Sequence, residues 1–186
     1  MFALASILGA RAGELMALTV PDLDFHRKTI RVNKSADDLT RQVRQPKTKK
    51  SVALLPMPTY LKAMLREYLR YHWKVNPNQL LFPAPRRGGF ARSRNNVVRA
   101  GLKPILRKLG IPAENVGLHA FRHGLATELA ESEPITVLQT QMRHADVRTT
   151  LKVYAHVIPQ SQRDSMERIA QRSIGTNVPI GTRAVA

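Results

Sequence analysis

The sequence predicts an α+β fold, mainly α with a small antiparallel β-sheet, on three observations. Apolar residues recur at helical spacing over most of the chain, whereas two-residue alternation is confined to short stretches between residues 23 and 56. Pro, Gly and Asn separate these stretches at short intervals. The 186 residues are 43% hydrophobic and 23% charged, enough for a packed core without disulfides, and there is no Cys to make one. One domain over residues 1–172 with a loose tail over 173–186 is the expected organisation.

Residues 2–18 carry apolar positions at helical spacing and end at Val20-Pro21, which predicts a single helix. Leu23-Asp24-Phe25-His26 and Thr29-Ile30-Arg31-Val32 alternate as strands around a short turn. A polar loop follows, then a strand at residues 51–56, so the small sheet is expected to carry a basic hairpin near Lys47. Thr59 is placed to cap an amphipathic helix running to about Trp73, which Asn76-Pro77-Asn78 ends. Residues 80–83 read as strand-like or irregular, and Arg86 to Phe90 as a Gly-rich basic loop. Ser93 caps a helix to Leu109, stopped by Gly110 and Pro112. Further helices are expected over 118–130, from Glu133-Pro134, over 149–157 and over 161–170.

Lys and Arg number 30 against 13 Asp and Glu, a formal charge of +17, which makes a polyanion the first partner to consider. The excess is concentrated: between Asp38 and Glu114 the only acid is Glu67. At 5% aromatic residues the chain is poor in base-stacking platforms, so duplex phosphates are a better target than a single strand. Arg86, Arg87, Arg92, Arg94 and Arg99 are the candidate DNA contacts. A basic RNA-binding protein would account for the charge alone.

No apolar run approaches the roughly 20 residues of a membrane helix. The apolar start with Ala10-Arg11-Ala12 has the outline of a signal peptide, but no Lys or Arg precedes it and it leads directly into Leu15-Met16-Ala17-Leu18. His119 and His123, four apart, have zinc-like spacing, yet no Glu follows His119 and no third ligand is evident, so no metal is expected.

Three segments belong together: Gly9-Ala10-Arg11-Ala12-Gly13-Glu14-Leu15, His119-Ala120-Phe121-Arg122-His123, and Met142-Arg143-His144 with Tyr154 ten residues beyond the last His. On a helix His119 and Arg122 share a face, so imidazole and guanidinium point at one anion. Arg11 sits among apolar residues, where a charge needs a counter-charge, and Glu14 is in reach. Cations gathered around one phosphate stabilise the charge of phosphoryl transfer, and a tyrosine hydroxyl is a competent nucleophile once activated.

From about residue 3 to residue 170 the chain resembles the catalytic domain of the tyrosine recombinase, or phage integrase, family. The resemblance rests on Arg11 in its Gly-x-Arg-x-x-Glu-Leu segment, Lys47 in a hairpin, the His119-x-x-Arg122 box, His144 and Tyr154, with Arg143 standing where the family usually has Gly before that His. It implies that Tyr154 attacks a scissile phosphate of double-stranded DNA, forming a 3′-phosphotyrosyl link and freeing a 5′-hydroxyl, with no cofactor. Arg11 and Arg122 would clamp the non-bridging oxygens, His144 hydrogen-bond the phosphate, Lys47 protonate the 5′-oxygen and His119 accept the tyrosine proton, while Glu14 orients its neighbours. It further implies a homo-oligomer, a tetramer on DNA, with a monomer in solution left open, and a cytoplasmic location with the nucleoid DNA.

The family's amino-terminal helical domain is expected before this region, and the chain starts ten residues before Arg11, so an amino-terminally truncated catalytic domain is expected. A catalytically inactive DNA-binding remnant is the alternative, and a topoisomerase the neighbouring enzyme. Residues 173–186 are expected either to dangle or to dock on a neighbouring protomer.

Overall fold

The computed structural model describes residues 1–45, 52–143, 148, 151 and 160–174. The chain divides into two compact units, one of Met1–Ala126 with Gln141–Arg143 and one of Thr127–Thr140 with His144–Ala186.

The first unit opens with α1 (Phe2–Leu8) and α2 (Ala12–Ala17), which corrects the single helix expected over 2–18. The break is at Gly9, which closes α1 in the left-handed conformation with φ 59°. Any side chain there would be strained, and its Cβ would lie 2.7 Å from Met142 Cε. Arg11 is extended at the N-cap of α2, and Glu14 folds back to accept its backbone N–H at 2.7 Å. Helical spacing survives the break because Leu4, Leu8, Leu15 and Met16 all enter one core.

Asp22 then closes a 3-10 turn, accepting from Thr19 N at 2.9 Å and Thr19 Oγ at 2.6 Å, and pairs with Lys34 Nζ at 2.8 Å. The expected sheet is present: β1 (Leu23–Asp24), β2 (Thr29–Val32) and β5 (Ala53–Pro56) pair antiparallel in the order β1-β2-β5. Alternation along β2 sends Ile30 and Val32 into the core.

The polar loop expected between these strands contains a further ribbon, β3 (Ser35–Ala36) with β4 (Val43–Arg44). Its turn is held by Asp37 Oδ1, which accepts from the backbone of Leu39 and Thr40 at 3.0 and 2.8 Å. The ribbon presses on α2 at Gly13, where a Cβ would meet Ser35 Oγ at 2.5 Å and Ala36 O at 2.9 Å. Gly13→Ala is therefore expected to lower stability by about 1–3 kcal/mol, because a backbone carbonyl has to move. Gly124→Ala, inside a helix with nothing within 4 Å of its new Cβ, is expected to raise stability by about 0.5–1 kcal/mol. Chemical denaturation of the two variants checks both signs.

Helix α3 (Thr59–Tyr71) starts one residue past its N-cap Pro58, so Thr59 is the first helical residue rather than the cap. It buries Leu61 and Leu65, and Tyr68 Oη donates to Leu81 O at 3.0 Å. The Gly-rich loop expected over 86–90 is instead most of a strand: β6 (Pro83–Ala84) pairs antiparallel with β7 (Arg87–Ala91). Ser93 opens the predicted helical run, with α4 (Arg94–Asn96), a π-helical segment (Val97–Leu102) and α5 (Lys103–Lys108) in succession. Gly101 lets Phe2 approach, its position for a Cβ being 3.3 Å from Phe2 Cζ, and Phe2 stacks on Phe121 at 5.9 Å.

Helices α6 (Leu118–Ser132) and α7 (Ile135–Met142) stand where the apolar spacing placed them. In the second unit Ala130 and Leu138 are fully buried. The last helix among the described residues, Gln160–Ile174, is longer than the predicted 161–170 and takes in the first two residues of the expected tail. Lys47, His144, Tyr154, most of the helix expected over 149–157 and the tail from 175 lie outside the described residues. Among the described residues no helix is long and apolar enough to cross a membrane.

Candidate phosphate-binding site

The break between α1 and α2 makes the site. With the chain turned at Gly9, Arg11 emerges at the N-cap of α2 with half its side chain exposed. Its Nη1 pairs with Glu14 Oε1 at 3.1 Å and its Nη2 donates to Arg143 O at 3.4 Å. Arg122, in the first turns of α6, is only 4% exposed. Its Nη1 donates to Gly9 O and its Nη2 to Met142 O, so the guanidinium fork joins the end of α1 to the end of α7.

Glu14 is shared. Besides Arg11 it accepts Arg143 Nη2 on Oε2 at 2.8 Å, and the Glu14 and Arg143 side chains are 14% and 12% exposed. Burial pushes the Glu14 carboxyl up, but the charges and hydrogen bonds of Arg143 and Arg11 together bring it below its ordinary value. Arg122 is pulled down to about 10, by burial first, then by Arg11 and Arg143, with Glu14 opposing. Two guanidinia thus hold one carboxylate, and Arg122 nearby carries its charge against the preference of its surroundings. An added anion relieves that conflict.

Arg11 and Arg122 face a cleft of about 1020 Å³ lined also by His119, Asp38, Arg92, Arg94, Asn95, Asn96, Arg99 and Lys103, with Glu14 and Arg143 behind them. His119 is exposed there, one turn before Arg122, as the His-x-x-Arg spacing predicts. Of the predicted DNA contacts, Arg92, Arg94 and Arg99 line this cleft; Arg94 pairs with Asp38 at 2.8 Å and Arg92 Nε donates to Pro83 O at 3.0 Å. Arg86 lines a separate cavity of about 800 Å³ with Phe2, Arg41 and Arg92. Arg87 lies in β7. The structure thus joins Arg11, Glu14, His119 and Arg122.

Sequence reasoning missed Asn95, Asn96 and Lys103 as cleft residues, although the four-residue steps from 95 to 99 to 103 put Asn95 and Lys103 on one helical face with Arg99. It left Arg143 undecided. Among the described residues no group of three or more His, Asp or Glu is arranged to hold a metal ion.

Residues 1–161 match the phage integrase family. The chain is similar to the XerC-like tyrosine recombinase of Caldanaerobacter subterraneus subsp. tengcongensis, 29% identical over 189 residues covering 91% of this chain and 48% of the relative. It is similar also to the ICEBs1 integrase of Bacillus subtilis, 26% identical over 90% of this chain and 47% of that protein. The chain spans about half the length of these curated relatives. Among solved structures it is similar to the Tn1549 transposon integrase in complex with circular intermediate DNA, with TM-score 0.71, 27% identity, and coverage of 90% of this chain and 57% of that one. The crystal structure of XerA recombinase gives TM-score 0.64 at 26% identity, covering 90% of this chain and 54% of that one.

Proposed function

The chain belongs to the phage integrase family, and from that membership we propose that it is the catalytic part of a site-specific recombinase that cleaves and rejoins duplex DNA through a 3′-phosphotyrosine. The observation that carries the proposal is the convergence of Arg11 and Arg122, with His119, on one basic cleft. Two planar forks suit the two non-bridging oxygens of a phosphodiester. Their charge meets the charge that builds up as phosphorus becomes five-coordinate.

In the proposed reaction Tyr154 Oη attacks phosphorus, the bond from phosphorus to the 5′-oxygen breaks, and Lys47 supplies the proton that makes the leaving group a hydroxyl. His119 takes the proton from the tyrosine, and His144 hydrogen-bonds the phosphate. Attack by a 5′-hydroxyl, from the same duplex or a second one, reverses the step. The phosphodiester's energy is kept in the phosphotyrosyl link, so no nucleotide cofactor enters the balance. A free tyrosine has a pKa near 10, and in the proposed reaction the positive charge of the cleft lowers the cost of its ionisation. Arg92, Arg94 and Arg99 extend the positive surface for the duplex backbone. Assembly as a tetramer on DNA, docking of residues 173–186 on a neighbouring protomer, and residence with the nucleoid DNA in the cytoplasm belong to the same proposal.

A pool of nicked duplexes randomised around the nick tests it. A covalent protein–DNA band is expected on a denaturing gel from the parent chain, with the nucleotide mapped to the Tyr154 peptide, and none from Tyr154→Phe. A band that persists in Tyr154→Phe overturns the assignment of the nucleophile. Salt-sensitive duplex binding with no band from the parent overturns catalysis by this chain in favour of a DNA-binding remnant.

A further inference from the structure

We infer that Arg143 is a positioning residue: its side chain fixes Glu14, and through Glu14 the Arg11 guanidinium, so that this arm of the clamp is set before DNA arrives. This rests on the reading of Arg11 and Arg122 as phosphate ligands.

The argument begins with the backbone. Arg143 follows the last residue of α7 with φ 52°, a left-handed position that glycine adopts at least cost and other residues adopt when their surroundings hold them there. The turn brings two successive carbonyls to the site: Met142 O accepts from Arg122 Nη2 and Arg143 O accepts from Arg11 Nη2. The side chain then explains why an arginine stands in a glycine's place. Its Nη2 reaches Glu14 Oε2 at 2.8 Å, across 129 positions of sequence, and the same oxygen accepts Arg11 N at 2.7 Å. Glu14 Oε1 in turn holds Arg11 Nη1. One carboxylate is thereby gripped from both sides, and Arg11 is tied to it by backbone and side chain. The Arg143 side chain is committed to Glu14 and, unlike those of Arg11 and Arg122, does not line the cleft, so it supports the clamp rather than adding to it.

A double-mutant cycle separates this from direct phosphate contact. Arg143→Gln is expected to slow adduct formation at saturating DNA by about tenfold to a hundredfold, the scale of a slight misplacement of a catalytic group. In a Glu14→Gln background the same change is expected to have no further effect. The salt slope of duplex binding is expected to stay unchanged, whereas loss of a phosphate contact lowers it by about 0.9. Additive effects, or a reduced slope, overturn the inference. Arg143→Gly, which keeps the turn but not the pair, is expected to behave as Arg143→Gln does; parental rates from it show that only the turn matters and also overturn it.

A readout without DNA keeps this question apart from the functional one. The Arg11 guanidinium resonances, identified by their loss in Arg11→Lys, are expected to shift and broaden in folded Arg143→Gln. Unchanged resonances overturn the inference whatever the parent chain does to DNA.

Discussion

Arg122→Ala is expected to reduce covalent adduct formation by about 10²–10³-fold, the usual loss when one preorganised donor to a developing oxyanion is removed. It is also expected to destabilise the chain, because Gly9 O and Met142 O both lose their donor inside the first unit. Each carbonyl left dry costs about 1–3 kcal/mol, and relief of the guanidinium's own burial offsets part of this. Arg122→Lys keeps a charge but cannot span both carbonyls, so it is expected to retain more stability than activity. The Arg122 pKa of about 10 means that the fold holds the charged form at a cost, which an anion recovers. Added duplex is accordingly expected to raise the thermal midpoint of the parent more than that of Arg122→Ala. Equal shifts in the two proteins contradict a phosphate at Arg122.

Glu14→Gln is expected to cost about 3 kcal/mol of stability at neutral pH, the scale of breaking a buried ion pair from one side. Arg143 is the partner that suffers, being 12% exposed, while Arg11 is half in solvent and loses little. The sign with pH follows from the lowered carboxyl of Glu14. A group whose pKa is depressed on folding contributes stability above its unfolded value and loses it as the pH falls through its folded value. The gap between parent and Glu14→Gln is therefore expected to be complete at neutral pH and to close as the pH drops below the ordinary carboxylate range. Denaturant titrations at a series of acidic pH values check this, and a gap that stays constant contradicts the shared-carboxylate account.

The fold class and the spacing within the candidate site were legible because each is local. His119 and Arg122 share a face by the geometry of one helix turn, and Arg11 finds Glu14 at the same interval. The break at Gly9 was hidden by periodicity: apolar residues on both sides pack in one core, so a pattern of contacts survives where the helix does not. The ribbon at 35–44 was hidden by its polarity, since its turn is set by the Asp37 side chain and its seat by the bare surface of Gly13. The glycines at 88 and 89 suggested a loop where β7 pairs with β6. Arg143 was beyond sequence reasoning for another reason. Its meaning depends on Glu14, which only the tertiary fold brings within hydrogen-bond reach.

The most direct measurement of the central claim is an experimental structure of the chain trapped on duplex DNA as its covalent adduct. The account predicts phosphate oxygens within about 3 Å of guanidinium nitrogens of both Arg11 and Arg122, with Arg143 still on Glu14. A phosphate bound away from that pair, with Arg122 still joining Gly9 and Met142, would show that the guanidinium cluster is a device of folding and not of catalysis.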